Sequence, residues 1–220
     1  PFAISTLVSK YSALGDNERK LRLYKIATKI IVAFSIFSFL VCFIFSRPIA
    51  SLIIGDIEDG NTLSDVVFAI RSISFTLLIV PLLSIKRGFL QGNKYVSQPS
   101  ISQVVEQFVR VGIILVGSFI CTKVFHLPIK FAISISLAAA GIGALVSYIY
   151  LSRVVNKNKE TLALTEKLTK KPEQDRLVAK EILLFAIPFV VINLANTLYS
   201  STSMILVLNT LPHLDFSGKE

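Results

Sequence analysis

Apolar positions in this 220-residue chain gather into five long runs rather than short alternating or amphipathic segments. The runs are Tyr24–Ser46, Val66–Ile85, Ser100–Thr122, Phe131–Ser152 and Ile182–Leu211. Each has the roughly 20 residues that a helix needs to cross about 30 Å of hydrocarbon. The pattern therefore predicts an all-α, polytopic transmembrane helix bundle. Phe131–Ser152 contains no charged residue, nor does Ile182–Leu211, whereas Tyr24–Ser46 carries charge near its start and Val66–Ile85 and Ser100–Thr122 carry it inside.

The polar segments between the runs set the organisation. Asp16–Arg22 reads as a short polar turn. Arg47-Pro48 closes the first run, since proline cannot continue a helix. Gly55–Ser64 and Gly88–Pro99 read as loops, Lys123–Lys130 as a tight turn. Asn156–Lys180 is longer, rich in Lys and Glu, with apolar Leu162, Leu164 and Leu168, and is expected to be a connector that is part surface helix. The opening stretch Pro1–Val8 is apolar and lacks an initiator Met, so it reads as the end of an earlier membrane helix and the chain as a piece of a longer protein.

Charge adds an orientation. Hydrophobic residues make up 53% of the chain and charged residues 17%, and the mean hydropathy is +0.67. An ordinary soluble domain has about a quarter charged residues. The net charge of +9 would suit a nucleic-acid partner if it were spread over a soluble surface, but it is confined to alternate loops. Six basic residues lie before the first run or in its opening turns, three lie between the second and third, and eight lie in Arg153–Lys180. The intervening loops hold only Arg47 and then Lys123 and Lys130, and the first of these loops is acidic, with Asp56, Glu58, Asp59 and Asp65. By the positive-inside rule the N-terminus and the long connector are cytoplasmic. The basic excess is read as topology and contact with anionic membrane lipid, with no nucleic-acid partner.

Polar residues inside the runs are the candidate site. Gln103, Glu106, Gln107 and Arg110 fall at i, i+3, i+4 and i+7, on one helical face continued by Ile114, Gly117 and Cys121. A charge deep in a bilayer costs several kcal/mol unless it faces protein or water. Glu106 and Arg110 can neutralise each other at i, i+4, a pairing compatible with a face that lines a cavity. Arg71 has no acid within four residues on its helix, and is either a snorkelling anchor or a cavity cation. Asn193, Asn196, Thr197, Ser200 and Ser203 follow Pro188 in the last run; they serve interhelical hydrogen bonding or mark a broken or kinked helix on a substrate path. Ser35, Ser38 and Cys42, and Ala139 with Gly143, read as close-packing faces, and His126 and His213 as interfacial residues.

Catalytic patterns are lacking: there is no Gly-rich phosphate loop, no paired aspartates for metal-diphosphate, and no metal-ligand spacing. Cys42 and Cys121 are separate small residues in apolar runs, not a metal pair. No cofactor and no catalytic residue is expected. Buried polar groups without a reactive set favour passage over chemistry.

Arg87-Gly88-Phe89-Leu90-Gln91-Gly92, then Pro99, Ile101-Ser102-Gln103 and Glu106-Gln107-Phe108-Val109-Arg110-Val111, resembles the "RGxxQG … P…ISQ..EQ..RV" stretch of bacterial polysaccharide-type flippases. These belong to the multidrug/oligosaccharidyl-lipid/polysaccharide exporter superfamily, and the resemblance is to its stage V sporulation protein B and lipid II flippase-like group. Ala3–Ser9 with Leu14-Gly15-Asp16 is similar to the end of that family's second helix. The resemblance implies residues 1–155 as an N-terminal lobe from the end of helix two through helix six, 156–181 as a cytoplasmic connector, and 182–220 as the first helix of a second lobe. It implies about 12–14 helices in the whole transporter and alternating access around a cavity for a lipid-linked anionic glycan, in the cytoplasmic membrane. Cavity candidates are then Arg71, Arg87, Gln91, Gln103, Glu106, Gln107, Arg110, Asn193 and Asn196, with Arg87 the weakest because it sits at the inner mouth. A coupling ion is a further candidate partner. Two alternatives stay open: a drug/cation antiporter of the same superfamily using Glu106, and a membrane enzyme acting on polyprenyl phosphates.

Overall fold

The computed structural model describes residues 2–54, 63–125, 129–165 and 172–210. Eight α-helices occur there: α1 (Phe2–Ala13), α2 (Asn17–Ile44), α3 (Ser46–Ile54), α4 (Leu63–Ser74), α5 (Thr76–Gly92), α6 (Ser97–Phe119), α7 (Ile129–Lys157) and α8 (Pro172–Thr210). No strand occurs among the described residues. Five helical stretches are long and apolar enough to cross a membrane: Asn17–Ile44, Leu63–Gly92, Ser97–Val124, Ile133–Lys157 and Glu173–Met204. They correspond one to one with the five apolar runs.

Element boundaries differ from expectation, each for a local reason. The polar turn at Asp16–Arg22 shrinks, because Asp16 caps α2 by accepting a hydrogen bond from the Arg19 amide at 2.9 Å. Gly15, at φ +68°, supplies the left-handed residue that reverses the chain just before that cap. Pro48 does not end a helix: α2 stops at Ile44, and Pro48 stands in the first turn of α3, where its missing amide leaves no bond unmade. The Gly88–Pro99 loop contracts to residues 93–96, since α5 continues through Gly92 and α6 begins at Ser97. Gly92 is where α1 crosses α5, and a Cβ there would lie 2.6 Å from the Ser5 carbonyl oxygen. The Lys123–Lys130 turn begins as a π-helical turn, Ile120–Val124, that extends α6. Connector residues 156–157 and 172–180 are helical, with turns at 158–165 between them. Residues 55–62 of the first loop, His126 and His213 lie outside the described residues, as does the end of the last run at Leu211.

Most of the large, fully buried apolar side chains gather at one end of the bundle, not along its length. Leu7, Val8, Leu23, Phe89, Leu90, Leu151 and Leu162 are sealed there, where α1, α2, α5, α7 and the turn after α7 meet. Tyr24 stacks on Phe89 with ring centroids 4.4 Å apart. Farther along, large side chains such as Phe34, Phe37, Phe108 and Leu115 are exposed, as suits helices whose outer surface meets lipid tails. Helices in hydrocarbon associate through close packing, not through escape from water. Gly143 on α7 accordingly sits against Glu106 of α6, and Gly117 of α6 sits against Ile135. Ala139 is fully buried on the same face of α7.

Candidate functional site

The α5–α6–α7 packing creates a polar centre near the sealed end of the bundle. Glu106 on α6 accepts hydrogen bonds through both carboxylate oxygens. Arg87 of α5 donates to Oε2 and Arg110 of α6 donates to Oε1, each at 2.8 Å. Arg87 also donates through Nε to the Ser102 hydroxyl at 2.9 Å. Ser102 in turn donates to the Pro99 carbonyl at 2.7 Å, and Ser147 of α7 donates to the Ser102 carbonyl at 2.5 Å. The side chains of Arg87, Glu106 and Arg110 are 16%, 10% and 30% exposed.

Two guanidinium groups share one carboxylate, so the centre keeps a net charge of +1. The expected i, i+4 pairing of Glu106 with Arg110 forms, but the same carboxylate also engages Arg87, so the pair does not balance the centre by itself. Arg110 Nε is buried and has no hydrogen-bond partner. Beside the centre lies a recess of about 450 Å³ lined by Arg87, Gln103, Val104, Glu106, Gln107 and Phe108. Gln103 and Gln107 are exposed at its wall and offer amide donors. Such a surface suits an anion bearing several acceptor oxygens, because arginine's planar fork can hold two oxygens at once.

The other candidates lie elsewhere. Gln91 is one turn beyond Arg87 on α5 and half-buried. Arg71 on α4 is separate: its Nε donates to Ser46 Oγ at 3.1 Å, and its guanidinium lies 5.3 Å from the Phe43 ring centre. Asn193 and Asn196 are exposed on α8, which packs on α1 and α2 and not on the helices of the charged centre. The α8 helix runs unbroken through Pro188, so the broken-helix expectation is not met. Asn193 donates to the Phe189 carbonyl at 2.7 Å and Thr197 to the Asn193 carbonyl at 2.9 Å, both within α8.

Sequence spacing did not reveal Ser102 and Ser147, which brace Arg87 and tie α6 to α7. Nor did it reveal a second set of ion pairs, where α8 meets α1 and α2. Lys10 pairs with Glu181 at 2.7 Å, Tyr11 donates to the same carboxylate, and Arg22 bridges Glu18 and Asp175. Among the described residues no group of three or more His, Cys, Asp or Glu is placed to hold a metal ion, and Cys42 and Cys121 are both free.

No protein-family model and no solved structure matches the chain. Two curated proteins of Bacillus subtilis (strain 168) are similar to it. One is the lipid II flippase MurJ, 32% identical over 204 residues, which cover 91% of this chain and 37% of that protein. The other is stage V sporulation protein B, 27% identical over 190 residues, covering 86% of this chain and 34% of that protein. The chain thus spans little more than a third of the length of these relatives.

Proposed function

The chain belongs to the polysaccharide-type branch of the multidrug/oligosaccharidyl-lipid/polysaccharide exporter superfamily, and from that premise we propose that it carries one lobe of a flippase for a lipid-linked anionic glycan. It is a multi-pass protein of the cytoplasmic membrane. The lobe is residues 1–155, joined through the cytoplasmic connector 156–181 to the first helix of a second lobe at 182–220. The cargo is an oligosaccharide or peptidoglycan precursor on a polyprenyl diphosphate, moved by alternating access. The similar lipid II flippase supports a lipid-linked cargo by its name.

The observation that carries this reading is the single carboxylate shared by Arg87 and Arg110 at the wall of a polar recess. A diphosphate entering a low-dielectric interior loses its water and needs donors in its place. Arg87 and Arg110 would supply charge, and Gln103 and Gln107 neutral donors. Glu106 holds the two guanidiniums apart and oriented until the cargo competes for them. The antiporter alternative needs a lone acid free to take a proton or sodium ion, and Glu106 is held by two arginines instead.

The test is a reconstituted full-length protein offered an undecaprenyl-diphosphate sugar and, separately, a hydrophobic organic cation. Binding and flipping of the diphosphate are expected to exceed those of the cation, and Arg87→Gln with Arg110→Gln should lower them at least about tenfold, as expected when charge-assisted hydrogen bonds are lost. Preference for the cation would overturn the flippase reading.

A further inference from the structure

Away from the charged centre, α2, α4, α5 and α7 leave an apolar groove of about 580 Å³. Its wall includes Phe43, Phe68, Phe75, Ile79, Ile142 and Leu145, and Arg71 is its cation. Arg71 and Phe68 also border a second, more polar recess of about 560 Å³, lined besides by Arg47, Ser64 and Val67. The two hollows thus share Phe68 and Arg71 in their walls. Neither Arg47 nor Arg71 forms an ion pair with a carboxylate among the described residues. Arg71 is held instead by Ser46 and by the face of Phe43, which fix the guanidinium and leave its remaining donors uncommitted.

The place in the fold fits a membrane leaflet. Tyr24 packs on Phe89 at one end of the α2–α5 pair, and Phe43 on Phe75 toward the other. From Tyr24 to Phe43 the helix rises about 28 Å at 1.5 Å per residue, nearly the hydrocarbon thickness. The groove therefore lies near the membrane face opposite the buried end of the bundle, with its cations at the mouth and its aromatic wall running inward. A hollow of this size lies within the usual range for a bound organic ligand. Cations at one end and hydrocarbon along the rest match an amphiphile with an anionic head.

We propose that this groove is a binding site for one anionic phospholipid, its phosphate between Arg47 and Arg71 and one acyl chain along Phe43, Phe75 and Leu145. The site is distinct from the Arg87–Glu106–Arg110 centre and does not depend on what the transporter carries. Net charge selects the head group: a guanidinium can hold the phosphate of any phospholipid through two parallel hydrogen bonds, but a zwitterionic head also brings an ammonium up against Arg47 and Arg71. The groove selects a chain, because its aromatic and aliphatic wall gives an acyl chain close van der Waals packing.

The test uses delipidated full-length protein and native mass spectrometry with phosphatidylglycerol, phosphatidylcholine and inorganic phosphate as separate probes. Phosphatidylglycerol should be retained in preference to phosphatidylcholine, and Arg47→Gln with Arg71→Gln should weaken that retention about tenfold, the scale of losing charge-assisted hydrogen bonds. Leu145→Trp fills the groove from a position 44% exposed, so it leaves the packed core alone and should also expel the lipid. Ile142→Phe, from a position 45% exposed, is the second filling variant should the first fail to fold. Equal retention of the two lipids overturns the proposal. So does phosphate binding as tightly as the lipid, which would mean an anion site without a chain, or lipid retention unchanged when the groove is filled. A polyprenyl diphosphate displacing phosphatidylglycerol at equimolar concentration would assign the groove to cargo and overturn it as well.

Discussion

Glu106 is the residue on which the charged centre depends, because both of its oxygens are committed and two cations rely on it. Removing one member of a buried pair leaves a buried charge uncompensated, which costs about 3–5 kcal/mol. Glu106→Gln should therefore destabilise the protein most. Arg87→Gln should follow, since Arg87 is only 16% exposed, and Arg110→Gln should cost least at 30% exposed with Glu106 still paired to Arg87. Thermal unfolding of the three variants in detergent gives the order directly, and a reversal would show that Arg110, not Arg87, is the principal partner. Exchanging the charges of positions 106 and 110 would set a guanidinium against Arg87, so loss of folding is expected in that double variant. Half of this centre was legible in the sequence. Glu106 and Arg110 stand four residues apart on one helix, and spacing alone predicts their contact. Arg87 lies 19 residues from Glu106 on another helix, and no periodicity within one helix carries that distance. Ser102 and Ser147 were invisible for the same reason: their bond joins α6 to α7 across 45 residues.

At the scale of the helices, small residues decide how closely the elements approach. A Cβ at Gly143 would meet the Glu106 carbonyl oxygen at 2.8 Å, whereas one at Gly112 would meet nothing within 4 Å. Gly143→Ala should therefore push α7 away from α6 and cost about 1–3 kcal/mol, the usual scale of overpacking. Gly112→Ala on the same helix as Glu106 should be neutral or gain up to about 1 kcal/mol from helix propensity. Melting temperatures of the pair test the packing, and equal effects would mean that the α6–α7 contact tolerates expansion. Ala139 and Gly143 were readable as a packing face because they recur four residues apart in an uncharged run. The helix ends were less readable. Apolar runs report where a chain meets hydrocarbon, while helices continue past that boundary wherever a cap or a tight crossing supports them. Asp16 extends α2 into a basic segment, and the close contact at Gly92 carries α5 beyond its apolar stretch.

For the molecule as a whole, five crossings followed from run length alone, because no soluble helix needs so many uninterrupted apolar residues. The arrangement of the crossings did not follow: α8 lies on α1 and α2, held by Lys10, Tyr11 and Arg22 to Glu181 and Asp175, and nothing in the spacing of those residues announces it. Asn193 and Thr197 of its polar stripe donate within its own turns instead of reaching the charged centre. Orientation rests on charge. Seventeen basic residues lie on one set of alternate loops and three on the other, and each Lys or Arg beside an anionic leaflet is worth about 1 kcal/mol. The expected topology places the turn after α7 in the cytoplasm and the acidic loop after α3 outside. Lys159 is exposed in that turn, and Asn61 belongs to the acidic loop. With Cys42 and Cys121 replaced by Ala, single cysteines at Lys159 and Asn61 of the full-length protein should react with a membrane-impermeant maleimide from opposite sides of intact cells. Cysteine at Asn61 should label without permeabilisation and cysteine at Lys159 only after it. Labelling of both from one side would break the link between loop charge and orientation.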